Sequence, residues 1–170
     1  MYVDFDTLPD QARVWVYQAN RSLSDREVES IQEILQPALS QWAAHGQPLL
    51  ASAQVIDNRF VVLGVDEGYT LPSGCSIDSS VRTLQEIGRQ ISSSGNPVDF
   101  FDRSAAVKSE QEGVVVYPLA AIKAAISEGK LTPDMHIVNT LVKTKAEFLS
   151  DWTIRAGDSW LKRYFKAIVA

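Results

Sequence analysis

The hydrophobic positions of this chain change period several times, and each change marks an element. Arg13-Val14-Trp15-Val16-Tyr17 is apolar on both faces and ends at Gln18-Ala19-Asn20-Arg21, which predicts a buried strand. Ser24-Asp25-Arg26-Glu27 then has the form of a capping box, and Val28, Ile31, Leu35, Leu39 and Trp42 follow at helical spacing. Pro37 interrupts that helix without breaking its period, so a kink is expected there and the helix should end at His45-Gly46. Leu50 to Ile56 and Arg59 to Val65 read as strands joined by a tight Asp57-Asn58 turn, since both residues tolerate positive φ. Ile77, Val81, Leu84, Ile87 and Ile91 mark one face of a second helix, terminated by Ser92-Ser93-Ser94-Gly95-Asn96-Pro97.

Beyond that point the elements shorten. Ala105 to Lys108 and Val114 to Tyr117 form a hairpin pattern around Glu110-Gln111-Glu112-Gly113. Pro118 is placed as the first residue of a helix from Leu119 to Ser127, with Gly129 as its cap, and Met135 to Val138 reads as a short strand. Thr144-Lys145-Ala146-Glu147 repeats the capping-box form before Phe148 and Trp152, and Asp158 or Ser159 caps a last helix. The order is that of an α+β domain spanning residues 1–170, with an antiparallel or mixed sheet and helices mainly on one face. Residues 12–117 form its sheet core with two helices, ferredoxin-like βαββαβ with one strand added, and 118–170 a mainly helical extension.

Charge narrows the classes of partner. The formal net charge is −5, which argues against general nucleic-acid binding because phosphate neutralisation needs Lys and Arg. Residues 143–170 nonetheless carry six basic side chains against three acidic ones. There Leu161, Tyr164, Phe165 and Ile168 share one helical face while Lys162, Arg163 and Lys166 cover the other. Such a helix binds a membrane surface or a partner, a second copy included, or docks its apolar face on its own sheet. No apolar run approaches a membrane span, and the acidic Met1 to Asp6 stretch does not read as a signal peptide. A single cysteine excludes an intrachain disulfide and fits a cytoplasmic setting; with only His45 and His136 beside it, no zinc site of the usual spacing can be assembled, and no cofactor is expected.

Candidate chemistry concentrates between Asn58 and Arg82, where a strand end, a turn-rich loop and a helix start converge. The turn Ser73-Gly74-Cys75-Ser76 presents amides and hydroxyls that suit an anion, or that simply cap the helix. Cys75 is a candidate nucleophile, with His45 or Asp66 as base or orienter, and the alternative is a small residue chosen for packing. Asp66 and Glu67 end the strand, and Asp78 with Arg82 stands one helical turn apart; a ligand site and a plain i,i+4 ion pair are both open. The leading expectation is a non-catalytic domain that binds a small ligand, an anion or a protein at the 66–82 turn. A thiol-dependent enzyme using Cys75 is the alternative.

Val14-Trp15-Val16-Tyr17-Gln18, Trp42-Ala43-Ala44-His45-Gly46, Gly74-Cys75-Ser76-Ile77-Asp78 and Thr144-Lys145-Ala146-Glu147-Phe148-Leu149 together resemble a family of small bacterial proteins commonly labelled "ABC transporter ATPase". The resemblance implies a bacterial protein and supplies no functional residue to carry over. The label itself has no support in these residues: the single Gly-Lys pair, Gly129-Lys130, has Ala124 and Leu131 where a phosphate-binding loop needs Gly and Ser or Thr, and there is no Leu-Ser-Gly-Gly-Gln signature.

Overall fold

A computed structural model describes residues 1–92 and 95–169, the side chains of Ile168 and Val169 excepted. Ser93 and Ser94 of the expected helix terminator, and Ile168 of the expected last apolar face, therefore lie outside the described residues. The chain is α+β and forms two compact units, residues 1–102 with 141–149, and residues 103–140 with 150–170.

In the first unit, β1 (Arg13–Gln18) is followed by α1 (Asp25–Ser40), a small hairpin of β2 (Ala43–Ala44) and β3 (Gln47–Pro48), then β4 (Ala51–Ile56), β5 (Phe60–Val65) and α2 (Gly74–Gln90). The sheet order is β1-β5-β4, antiparallel throughout, so β5 enters between the two strands that precede it. The ferredoxin-like βαββαβ pattern expected for residues 12–117 calls for a further strand in this sheet. The strand that should complete it, Ala105 to Lys108, pairs in the second unit instead.

Every residue of β5 is buried, because both faces of the sheet are covered. Val61, Leu63 and Val65 meet Ile31, Leu35 and Leu39 of α1 with Leu84, Ile87 and Ile91 around α2. The other face, which carries Gly64, is covered by Phe5 and Leu8. Phe5 in turn packs edge-on against Phe148 at 5.5 Å between centroids, within α4 (Lys145–Ser150). The buried Lys145 fixes this layer by donating to the Asp6 and Leu8 carbonyls at 2.9 and 2.7 Å. Gly88 is required by close approach: a Cβ there would overlap the Val98 carbonyl, which lies against α2.

Two departures from the expected elements matter for the site. α1 runs through Pro37 but stops at Ser40. His45 and Gly46, read as the helix end, are the two turn residues of the β2–β3 hairpin, with φ of 51° and 78°. This is the geometry of a type I′ turn, for which Gly is suited at the second position. The Asp57-Asn58 turn has the same sign of φ at both residues, 55° and 51°, as expected.

The second unit holds a four-stranded antiparallel sheet in the order β7-β6-β8-β9. Its strands are β6 (Ala105–Ser109), β7 (Gly113–Tyr117), β8 (His136–Val138) and β9 (Thr153–Arg155), the last unforeseen in the sequence. A 3-10 turn, Leu119–Ala121, leads into α3 (Ile122–Ser127), with Pro118 at the cap position. Ser159 receives the Leu161 N–H at 3.1 Å before α5 (Lys162–Val169) begins. Leu161 and Phe165 are buried in this unit's own core with Ile122, Leu131 and Ile137. Of the expected apolar face, Leu161, Phe165 and the half-buried Tyr164 thus pack within this unit.

Candidate functional site

The 58–82 stretch divides at its loop. Asp66 Oδ1 accepts the Gly68 N–H at 2.9 Å, and the Asp66 carbonyl accepts the Tyr69 and Thr70 N–H groups at 3.2 and 3.3 Å. This side chain closes its own turn, as Asp does in an Asx-turn. Glu67 stands beside it without a partner among the described residues. Asp78 and Arg82, expected as an ion pair, form none; Arg82 is exposed and neither lines the cavity described below. Among the described residues no group of three or more His, Cys, Asp or Glu side chains is placed to hold a metal ion.

The helix start behaves differently. Ser73 is the N-cap and Ser76 the third residue of α2, and the two form a reciprocal box. Ser76 N–H donates to Ser73 Oγ at 3.1 Å, Ser73 N–H to Ser76 Oγ at 2.7 Å, and the Ser76 hydroxyl donates to the Ser73 carbonyl at 2.8 Å. These hydroxyls are committed to the helix end. What the turn still offers to solvent are the N–H groups of Gly74 and Cys75, which no helix can satisfy internally. Asp78 is the fifth helical residue and lies beyond the first turn.

Trp42 joins this helix start to the end of α1. Its indole N–H donates to the Ser76 carbonyl at 2.7 Å, and its ring meets Trp15 edge-on at 6.4 Å. Three of the four sequence blocks noted above thereby meet in one place. Beside Trp42 lies a groove of about 470 Å³ between the end of α1 and the start of α2. One wall is apolar, from Leu35, Leu39, Trp42 and Leu63; the other is a row of hydroxyls, Ser76, Ser79, Ser80 and Thr83. No Lys, Arg, Asp or Glu lines it, and its titratable lining groups are His45 and Cys75 at the mouth.

The hydroxyl row explains why this wall escapes a reading of apolar period. The buried face of α2 is Ser76, Ser80, Leu84, Ile87 and Gly88, whereas Ile77 and Val81, expected on that face, are only half-buried. Thr83 Oγ1 donates to the Ser79 carbonyl at 3.0 Å and Ser80 Oγ to the Ile77 carbonyl at 2.6 Å. Backbone carbonyls thus take the hydrogens of these two hydroxyls, which leaves their oxygens acceptor capacity. Burial pushes the Tyr17 phenol above its ordinary value, and the Ser80 hydroxyl beside it offsets this in part. The phenol therefore stays neutral.

The structure brings Cys75, His45, Ser73 and Ser76 to one groove, while Gly74, Asp66, Glu67 and Arg82 do not line it. Cys75 and His45 are both exposed, and neither has a hydrogen bond to the other or to an orienting group. Trp42, Ser79, Ser80 and Thr83 are the lining residues that sequence reasoning missed. No protein-family model, no curated protein and no solved structure matches the chain.

Proposed function

We propose that the first unit is a binding domain for a small, uncharged molecule, with the groove between α1 and α2 as its site. The observation that carries this reading is the pairing of a Trp and Leu wall with a row of hydroxyls and no formal charge. Such a surface favours a ligand with an apolar body and a few hydrogen-bonding groups, because burying a charge there would go uncompensated. A volume of about 470 Å³ falls in the range of small-molecule clefts. The anion alternative loses its hydroxyl ligands to the Ser73–Ser76 cap, and Arg82 does not reach it.

The thiol-enzyme alternative draws support from Cys75 and His45 lining one groove. It lacks the base-to-orienter hydrogen bond on which an activated nucleophile depends. A single exposed cysteine without a disulfide partner suits a reducing compartment, and a cytoplasmic location is part of this proposal.

The test is an NMR screen that reads the Trp42 indole N–H and the Ser79, Ser80 and Thr83 amides. Neutral fragments with an aromatic or branched aliphatic body and an amide or alcohol should shift these signals, while inorganic phosphate and Mg-ATP should not. A response confined to phosphate at the Gly74 and Cys75 amides would replace this reading with anion binding. Silence from every fragment would end it.

A further inference from the structure

β4 is an edge strand with free backbone. The Asp66 N–H bonds the Leu50 carbonyl at 3.0 Å and the Arg59 N–H bonds the Ile56 carbonyl at 3.1 Å. In the register Ser52↔Gly64, Gln54↔Val62 and Ile56↔Phe60, the even-numbered residues of β4 therefore aim their backbone groups at β5. Ala51, Ala53 and Val55 aim theirs away. Ala51 is already used: its N–H donates to the Met1 carbonyl at 3.0 Å and its carbonyl accepts the Val3 N–H at 2.9 Å. This parallel pairing stops after one residue, because the chain turns into the 3-10 segment Phe5–Thr7. Ala53 and Val55 keep both backbone groups without a partner among the described residues.

The free edge borders a second groove of about 240 Å³, lined by Gln32, Leu35 and Gln36 of α1, by Ala53, Gln54 and Val55, and at its Ala51 end by Tyr2. Edge strands are ordinarily blunted by Lys, Pro or a bulge. Ala-Ser-Ala-Gln-Val-Ile has no charge and no Pro, and its register with β5 is unbroken. Met1 to Val3 shows that this edge accepts an added strand; beyond Ala51 the place is open.

Charge selects the occupant. Asp25, Glu29, Gln32 and Gln36 recur at helical spacing and form one stripe along α1, whose last two members line the groove. The acidic end of this stripe lies beside the β4–β5 turn, where Asn58 Nδ2 donates to Asp25 Oδ1 at 2.9 Å. Glu29 is exposed and makes no ion pair among the described residues. The first unit carries fifteen acidic side chains against eight basic ones, so pairing two copies edge to edge would bring like charge together. We infer that the β4 edge is a docking site for an extended segment of a partner protein, which adds as a strand through Ala53 and Val55 and sets a basic side chain against Asp25 and Glu29.

Amide hydrogen exchange at Ala53 and Val55 tests this on the full chain. The probe is a short acetylated and amidated peptide of alternating Thr and Val with Arg at both ends, compared with the same peptide carrying Glu at both ends. The two amides should exchange freely in the protein alone and slow by about tenfold or more with the Arg peptide. Glu29→Lys, an exposed change, should weaken that binding by about fivefold. Val55→Pro, which removes one outward N–H, should abolish it; Glu29→Lys keeps the test decisive should the proline variant not fold. Three results would overturn the inference: protection that rises with protein concentration, which means a second copy; protection at every concentration without probe; or equal response to the Arg and Glu peptides.

Discussion

The starts of α1 and α2 repeat one hydrogen-bonding pattern with different side chains. At α1, Ser24 Oγ accepts the Glu27 N–H at 3.1 Å and Glu27 reaches back to the Ser24 N–H at 3.0 Å. Arg21 grips the same carboxylate through two bonds of 2.9 and 2.7 Å. At α2 a second serine takes the place of the glutamate, and no ion is involved. The first box is a charged clasp; the second is a neutral cap that opens onto the groove. A carboxylate at position 76 would cap α2 equally well, yet it would put a charge into the groove wall. The choice of serine is what keeps that wall neutral.

The contrast can be broken from its most buried member downward. Trp42→Ala should cost about 3–5 kcal/mol in chemical denaturation, since a buried ring is lost and the Ser76 carbonyl loses its donor. Trp42→Phe should recover most of that packing and leave only the missing hydrogen bond, about 1 kcal/mol.

Glu27→Gln should cost about 1–2 kcal/mol at neutral pH, by loosening a charge-assisted clasp that is partly open to solvent. The Arg21 hydrogen bonds are the main cause that holds the Glu27 carboxyl down to about 2, from an ordinary value of 4.5. A depressed folded-state value means that the contribution is complete above about pH 4.5 and is lost as the pH falls toward 2. The stability of the unsubstituted protein should therefore fall across that window more steeply than that of the Gln variant. Equal slopes in urea titrations across the window would refute the clasp.

Ser76→Ala should cost about 1 kcal/mol at every pH, the ordinary worth of a cap. Cys75→Ser and Arg82→Ala should each stay within about 0.5 kcal/mol, as exposed positions do.

How far the sequence disclosed these features depended on whether their cause was local. The Ser24–Glu27 box and the Asp57-Asn58 turn were legible because each is decided within four residues. His45-Gly46 carries a similar turn signal, but its strands are two residues long, too short for an alternating pattern, and the helical period of Leu35, Leu39 and Trp42 pointed past it. The destination of Ala105 to Lys108 was not legible, because strand propensity does not say which sheet will receive a strand. Asp66 looked like a free carboxylate at a strand end, and only its bond to the Gly68 N–H shows it spent on the turn. The groove was half legible: Ser73, Cys75, Ser76 and His45 were singled out as chemistry, while its body was not. That body rests on Trp42 meeting Ser76, 34 positions away, and on hydroxyls that occupy the inward face of α2 where an apolar stripe was sought.

Disulfide tethering at Cys75 tests the central claim most directly, because the chain's single thiol stands at the mouth of the groove. A library of thiol fragments matched in size, allowed to exchange under mild reduction, should enrich neutral members with an apolar body and a hydrogen-bonding group. That selection should vanish in Trp42→Ala wherever the variant remains folded, and should persist in Arg82→Ala. Enrichment of acidic fragments, or capture of every fragment in proportion to its thiol reactivity alone, would contradict the account.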